Sequence, residues 1–131
     1  MRGRATEVVF LYDIDPDLSL AVVTVPAVVE ARDVAETISA IYLDPLWRAG
    51  FATIWDGSGI TELHIDWVDL NSLVHVQRDH AHLAGSGVEA IVVTRAIDRS
   101  LALTYALLAR LGPRRTRVVD SMAEAMLAIT E

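Results

Sequence analysis

The stretch Phe51-Ala-Thr-Ile-Trp-Asp-Gly-Ser-Gly-Ile-Thr-Glu-Leu-His-Ile-Asp-Trp-Val-Asp-Leu70 decides the fold of this chain. Residues 51–55 form a short, nearly continuous apolar run, which is typical of a parallel strand covered on both faces. Two glycines in Asp56-Gly-Ser-Gly59 let the backbone turn sharply. Asp66 and Asp69 have the spacing of a capping arrangement, so a helix is predicted to begin near Asp66.

A hairpin and a helix are predicted before this unit. Residues 7–14 and 18–25 are rich in β-branched and aromatic side chains, and Asp15-Pro16-Asp17 between them is a turn signal. We therefore expect an antiparallel pair of strands. Residues 30–43 carry apolar side chains at helical spacing, and Asp44-Pro45 ends this helix because a residue before proline avoids the helical region.

Two more strand and helix pairs are predicted after it. Residues 89–94 form another buried strand, followed by a helix over residues 100–111 that Asp98 could cap. Residues 116–119 form the last strand, and Ser121-x-x-Glu124 is a capping box before the last helix. The order β-β-α-β-α-β-α-β-α predicts an α/β fold with a single mixed, mostly parallel five-stranded sheet and right-handed crossovers.

Composition limits the class of protein. The 131 residues are expected to form one domain over residues 1–131, with residues 1–6 flexible. The apolar share of 53% argues against disorder. There is no cysteine, which excludes disulfides and thiolate metal sites. All eleven basic residues are Arg, so a mechanism that needs a Lys amine is excluded.

Charge and hydropathy point to a cytoplasmic protein. The net charge of −7 argues against nucleic acid as a partner. The first residues lack the apolar core of a signal peptide, and no apolar run reaches the roughly 18 residues of a membrane span. We therefore expect a cytoplasmic location and no membrane span.

The histidines of the second predicted helix are candidate metal ligands. His75, Asp79 and His82 are spaced i, i+4 and i+7 on a helix that is expected to end at Gly85. A separation of seven residues is about 10 Å along a helix, so one ion binds two of these residues more easily than all three. A solvated face or a partner surface is the favoured interpretation.

The turn between the first two predicted strands matches a calcium-binding loop only in part. Asp13, Asp15 and Asp17 alternate as at the start of such a loop, but Leu18 and Thr24 replace its glycine and its glutamate. A solvated turn is favoured here. We therefore predict no metal site and no cofactor.

The glycine turn is the first candidate for ligand binding. Its backbone amides could cradle a phosphate, with a plain tight turn as the alternative. It lacks the Gly-Lys-Ser/Thr of a Walker loop and the third glycine of a dinucleotide fingerprint. Ser58 does not occupy the centre of a Gly-x-Ser-x-Gly nucleophile elbow.

The candidate site lies at the carboxyl ends of the strands, where α/β proteins bind ligands. The candidate ligand- or partner-binding residues are Asp56, Gly57, Ser58, Gly59, Asp66, Thr94, Arg95 and Arg99. Asp120 and Ser121 belong to the same predicted edge. Arg114, Arg115 and Arg117 belong to the opposite edge, so the six arginines of residues 95–117 cannot converge on one anion.

The third predicted helix, residues 100–111, carries two apolar stripes. Leu101, Tyr105 and Leu108 share one face, and Leu103 and Leu107 lie roughly opposite. A helix that packs on a sheet needs one stripe. The second stripe is either covered by a neighbouring helix or chain end, or it contacts a partner. We expect a homodimer about a two-fold axis, with Leu103 and Leu107 near the interface.

The order of elements resembles STAS-type domains, the SpoIIAA-like anti-sigma-factor antagonists, and more closely the bacterial proteins described as STAS/SEC14 or SpoIIAA-like. The resemblance covers about residues 7–130. Its landmarks are Leu43-Asp-Pro-Leu-Trp-Arg-Ala-Gly-Phe51, Ile54-Trp-Asp-Gly-Ser-Gly-Ile60, Ala90-Ile-Val-Val-Thr94 and Arg117-Val-Val-Asp-Ser-Met-Ala-Glu-Ala-Met-Leu127. It implies a compact domain with a protein- or ligand-binding edge and no catalysis.

Two departures from that family bear on function. STAS switches carry a phosphorylatable serine where the loop meets the second helix, and this chain has Ile65-Asp66-Trp67 there. The related SEC14 fold binds lipids, but this chain lacks the length of that domain. We therefore expect a non-enzymatic regulatory or protein-interaction domain without that serine. The alternative is a small-molecule or lipid-binding carrier or sensor that uses the carboxyl edge of the sheet.

Overall fold

The computed structural model describes residues 9–130. The predicted flexible segment, residues 1–6, lies outside them, as does the start of the first predicted strand. The strands in this range are β1 (Leu11–Asp15), β2 (Leu20–Thr24), β3 (Val28–Glu30), β4 (Ala52–Asp56), β5 (Glu62–His64), β6 (Val88–Val92) and β7 (Arg115–Val119). The helices are α1 (Ala31–Leu43), α2 (Trp67–Asp79), α3 (Ala81–Ala84), α4 (Ala96–Ala109) and α5 (Met122–Ala128).

Five strands form the main sheet in the order β1-β2-β4-β6-β7. β1 pairs with β2 in antiparallel fashion, and the other neighbours are parallel. The α/β class and the mixed, mostly parallel sheet predicted from the sequence are thus confirmed. The turn between β1 and β2 is closed by a hydrogen bond of 3.2 Å from Leu18 N to Asp15 O.

The two faces of the main sheet bury different cores. Side chains alternate between the faces along each strand, so Val23 and Trp55 pack on one side, whereas Leu20 and Ile54 pack on the other. The first side carries the larger core, to which α1, α2 and α4 contribute. The second side is packed against α5 through the buried Ala125.

A second, two-stranded sheet was not predicted. β3 and β5 pair in parallel, and the amides of Thr61 and Glu62 both donate to Ala27 O, at 2.8 and 3.0 Å. Each strand has three residues with the burial pattern of a surface strand. Strands this short carry almost no periodic signal, because alternation needs four or more residues to be recognised.

The predicted start of α2 is confirmed. The Asp66 carboxylate accepts from Asp69 N at 2.9 Å, and the Asp69 carboxylate accepts from Asp66 N at 3.0 Å. The two side chains together satisfy amides that the first helical turn leaves without partners. The buried face of α2 consists of Leu70, Leu73, Val74 and Gln77.

Two predicted details of the helices are wrong. The helix after Asp66 does not run unbroken to Gly85, because the backbone leaves helical geometry at His80 (φ −104°, ψ 12°), whose ring nitrogen contacts Val76 O at 2.9 Å. His75 and His82 therefore lie on different helices, and both are exposed. Asp98 does not cap its helix: α4 begins at Ala96, and Asp98 lies buried in the first turn.

Candidate functional site

A cavity of about 120 Å³ lies on the side of the main sheet that α1, α2 and α4 cover. Its accessible surface is apolar, although Glu89, Asp98 and Tyr105 are among the residues that border it. The apolar side chains around it are Phe10, Val25, Val29, Val34, Ile38, Trp55, Ile60, Leu63, Ile65, Leu70, Leu73, Ile91, Val93, Leu101 and Ala102.

The cavity reaches the carboxyl ends of the central strands. Val25, Gly57 and Val93 line it, and each directly follows one of the parallel strands β2, β4 and β6. Val29 of β3 and Leu63 of β5 add the small sheet to its wall. The cavity therefore lies where the strand order predicts a ligand site in an α/β protein.

Gly57 keeps the loop after β4 close to β6. Its amide donates to Val92 O at 2.8 Å. A Cβ atom at this position would lie 2.8 Å from the same oxygen and 2.9 Å from Ile60 Cδ1. Any side chain here would force apart the two strands that border the cavity, so the position requires glycine.

Glu89 anchors a buried polar network beside the cavity. It is 3% exposed. Its Oε2 atom accepts from Trp55 Nε1 at 3.2 Å and from Gln77 Nε2 at 3.0 Å, and its Oε1 atom lies 3.5 Å from the Tyr105 hydroxyl. Tyr42 extends the network by donating to Gln77 Oε1 at 2.9 Å. The groups that contact the Glu89 carboxyl in these bonds are all uncharged.

Burial raises the pKa of Glu89 above its usual range, because an ionised carboxylate loses its hydration there. The charge of Arg114 and the bonds from Trp55, Tyr105 and Gln77 lower this pKa, but by less than burial raises it. Burial also raises the pKa of Tyr105, and the Glu89 charge adds to that effect. Burial therefore shifts both groups towards their protonated, uncharged forms.

Arg114 lies near this network, at the amino ends of two strands. This side chain is 6% exposed. Its guanidinium donates to the backbone oxygens of Phe51, Ala84 and Val88 and to the Thr53 hydroxyl, at 2.8–3.3 Å. It therefore ties together the amino ends of β4 and β6.

A second cavity of about 20 Å³ separates Arg114 from Glu89. Glu89 and Tyr105 line both cavities. Arg114 Nε has no hydrogen-bond partner within residues 9–130, and neither has Thr116 Oγ1; both side chains line this second cavity. A space of this volume accommodates one water molecule, which could bond to both atoms.

The glycine turn satisfies its own polar groups. Asp56 Oδ1 accepts from the Ser58 amide at 3.1 Å and from the Ser58 hydroxyl at 2.7 Å. The amides of Gly57 and Ile60 also donate to backbone oxygens. A phosphate cradle needs free amides, so these contacts favour the tight-turn interpretation of this loop.

Arg95 and Arg99 each contact a carboxylate. Arg95 binds both oxygens of the buried Asp98, at 2.7 and 2.8 Å, and also donates to Thr61 O. It thus links the start of α4 to the segment that enters β5. Arg99 pairs with Asp120 on the surface.

The remaining candidates are not joined to these pairs by the bonds described above. Asp66 is engaged in the cap of α2, and Thr94 is exposed after β6. Residues 9–130 contain no group of three or more histidine and acidic side chains that could hold a metal ion. No helix in this range is long and apolar enough to cross a membrane.

Sequence reasoning missed Glu89 and Arg114 as members of one buried network. A signal for Glu89 was present, because a single carboxylate precedes the apolar run Ala-Ile-Val-Val of a strand expected to be buried. Arg114 has no comparable signal: it lies between Pro113 and Arg115 and looks like part of a basic surface segment. Only the fold places it beneath the ends of two strands.

The fold and the site together define an α/β domain with an apolar cavity beside the buried carboxyl group of Glu89. No protein-family model, curated protein or solved structure matches the chain. The resemblance to STAS-type domains accordingly stays a prediction.

Proposed function

We propose that this chain is a non-enzymatic binding domain, a cytoplasmic carrier or sensor whose small apolar ligand occupies the larger cavity. The observation that carries the proposal is the cavity of about 120 Å³ with its apolar lining. Small-molecule sites are typically concave and mostly apolar, with a few polar groups that orient the ligand. The proposal follows the alternative function expected from the sequence.

The volume of the cavity sets the size of the ligand. A cavity of about 150 Å³ lined by aliphatic and aromatic side chains holds one benzene molecule. A cavity of about 120 Å³ therefore has room for roughly one ring or a short branched chain. A lipid acyl chain exceeds this volume several times, so we propose a small molecule and not a lipid.

The titratable residues of the cavity support binding without chemistry. Asp98 is held by Arg95, and Glu89 is held by Trp55 and Gln77. Covalent catalysis needs a nucleophile next to a base that a third group orients. The titratable side chains that line the cavity, Glu89, Asp98 and Tyr105, do not form this arrangement.

Benzene is the probe that tests the proposal. Its addition should shift the amide resonances of cavity residues and raise the midpoint of thermal unfolding, because a ligand that binds only the folded state stabilises it. Ala102→Leu fills part of the cavity and should abolish both responses. Ala106→Leu changes the same helix one turn later, outside the cavity lining, and should keep them. Equal responses in wild type and Ala102→Leu would exclude this cavity as the site.

A second candidate function, the regulatory or protein-interaction domain, is supported by the outer face of α4. Leu103 and Leu107 are 50% and 60% exposed, whereas Tyr105 is buried and Leu101 and Leu108 pack against the core. The alternative in which a neighbouring helix covers both leucines is thereby disfavoured. Exposed apolar patches mark interaction sites, and a second copy about a two-fold axis is the proposed partner.

Light scattering tests this second candidate. The wild-type chain at tens of micromolar should be a dimer, and the Leu103→Glu, Leu107→Glu double variant should be a monomer with unchanged circular dichroism. Both leucines are at least half exposed, so the double variant should fold. A monomeric wild type removes the homodimer, and a dimeric variant moves the interface away from α4.

A further inference from the structure

Within residues 9–130, the larger cavity presents no polar surface to a ligand. Its accessible surface is apolar, although three residues with polar side chains, Glu89, Asp98 and Tyr105, border it. Most small-molecule sites are largely apolar but include a few polar groups that orient the ligand. This cavity departs from that pattern, so the contacts of its three polar neighbours bear on what it can bind.

Arg95 binds the carboxylate of Asp98. Asp98 is 1% exposed, and both of its oxygens accept from the Arg95 guanidinium, at 2.7 and 2.8 Å. Arg95 does not border the cavity, and its side chain is partly exposed at the surface of the molecule. The charge of Asp98 is therefore compensated by the protein, without a contribution from a ligand.

The polar atoms of Glu89 and Tyr105 contact other side chains of the protein. Glu89 Oε2 accepts from Trp55 and Gln77, and Glu89 Oε1 lies 3.5 Å from the Tyr105 hydroxyl. None of these atoms contributes to the accessible surface of the cavity, whatever the charge of Glu89. Glu89 and Tyr105 therefore position the wall of the cavity and do not contact a molecule inside it.

We propose that the ligand of the larger cavity is a hydrocarbon, a molecule of about one ring that neither donates nor accepts a hydrogen bond. This inference rests on the proposed function and adds the chemical class of the ligand. Affinity comes from the apolar area that leaves water and from packing against the lining.

The cavity should select strongly against polar relatives of such a hydrocarbon. An alcohol, an amine, a carboxylic acid or a nitrogen heterocycle loses its hydrogen bonds to water on entry and gains none from an apolar surface. A charged molecule loses still more. Selectivity therefore needs no donor or acceptor in the site, because the unpaired polar atom of the wrong ligand opposes its binding.

Benzene and pyridine form a matched pair of probes, since they have nearly the same shape and pyridine replaces one C–H group by a hydrogen-bond acceptor. Both are uncharged near neutral pH. In NMR titrations the wild type should bind benzene at least about tenfold more tightly than pyridine. Only binding that Ala102→Leu abolishes is assigned to this cavity.

Two conservative variants test whether a bordering polar group contacts the probe. Tyr105→Phe removes the hydroxyl, and Glu89→Gln replaces the carboxyl by an amide of the same shape. Either variant can change both affinities through the shape of the wall. The ratio of benzene affinity to pyridine affinity should nevertheless stay within about threefold of the wild-type ratio, because one lost hydrogen bond would change it about tenfold.

The outcomes distinguish this inference from the proposed function. Pyridine that binds in the cavity within about tenfold of benzene overturns the hydrocarbon class and leaves the proposed function intact. A ratio that changes more than about threefold in Tyr105→Phe or Glu89→Gln also overturns the class, because a polar group then contacts the ligand. Failure of both probes to bind in the cavity overturns both the inference and the proposed function.

Discussion

The polar residues at the carboxyl edge of the sheet and those in its interior are organised differently. The edge pairs, Asp56–Ser58, Arg95–Asp98 and Arg99–Asp120, join residues that are 2, 3 and 21 positions apart. The inner cluster, Tyr42, Trp55, Gln77, Glu89, Tyr105 and Arg114, makes bonds that span 12 to 63 positions. The Asp56–Ser58 and Arg95–Asp98 pairs order the local backbone, and Arg99–Asp120 joins α4 to the end of β7 at the surface. The inner cluster instead holds the sheet against three helices.

The difference shows that buried polar residues say more about the molecule than exposed ones do. An exposed polar group can bond to water, so its pairing with a neighbour says little about function. A buried polar group depends on the protein for its hydrogen bonds, and most such groups have them. The hydrogen bonds of Glu89 therefore reveal more about how the interior is held together than the arginines of the edge do.

Removal of Arg114 should have the largest effect. Arg114→Ala leaves three backbone carbonyl oxygens and the Thr53 hydroxyl without this donor, and it opens space in the core. We expect the free energy of unfolding to fall by about 3–5 kcal/mol in chemical denaturation. Arg110→Ala, an exposed position, is the control and should stay within about 0.5 kcal/mol. Similar losses in both variants would contradict the inner role of Arg114.

Two variants of Glu89 distinguish the contribution of its hydrogen bonds to stability from that of its charge. Glu89→Ala leaves the Trp55 indole and the Gln77 amide without their acceptor, so unfolding should become easier by about 1–3 kcal/mol. Glu89→Gln preserves the shape of the protonated carboxyl and an acceptor, and should change stability by less than about 1 kcal/mol. A Gln variant that is destabilised as much as the Ala variant would show that Glu89 is ionised in the fold.

Wild type and Glu89→Gln also test how the free energy of unfolding depends on pH. The pKa of Glu89 is raised in the folded state above the ordinary value of 4.5, so the folded state holds the proton more tightly than the unfolded state does. Its contribution is fully present below pH 4.5 and is lost as the pH rises towards the folded-state pKa. Wild type should lose stability relative to Glu89→Gln over this window, by at most about 1.4 kcal/mol per pH unit. A constant difference from pH 4 to 8 would contradict the raised pKa.

Asp56 tests whether the edge binds ligand. Asp56→Ala removes the acceptor for the Ser58 amide and hydroxyl, and should lower the free energy of unfolding by about 0.5–2 kcal/mol, as for a lost cap. Benzene affinity should not change. Asp56→Asn keeps the acceptor and serves as the control. A loss of benzene affinity that exceeds the loss of stability would restore the glycine turn as part of the site.

The smallest effect is expected at the surface pair of Arg99 and Asp120. Both side chains are more than one-third exposed, so solvent and salt screen their attraction. A double-mutant cycle with Arg99→Ala and Asp120→Ala should give a coupling of about 0–1 kcal/mol that vanishes in 1 M salt. Coupling that persists in high salt would place this pair in a less hydrated setting than its exposure indicates.

Much of the fold could be predicted because its signals are local. The turn at Asp15-Pro16-Asp17, the cap at Asp66 and the helix end at Asp44-Pro45 depend on residues close together in the chain. The break at His80 and the small sheet of β3 and β5 could not be predicted. At the break, the His80 ring contacts the backbone of Val76, one turn earlier. The small sheet depends on pairing between residues that are 34 positions apart.

The sequence by itself determined the α/β class, the order of the elements and the edge of the sheet where a cavity ends, because periodicity and turn chemistry encode them. Tertiary structure alone decided that Arg95 is held by Asp98, that Arg114 is buried, and that Glu89 meets Trp55, Gln77 and Tyr105. These contacts join residues from separate strands and helices. Burial shifts the pKa of titratable groups such as Glu89. It is a property of the packed molecule that no single stretch of sequence contains.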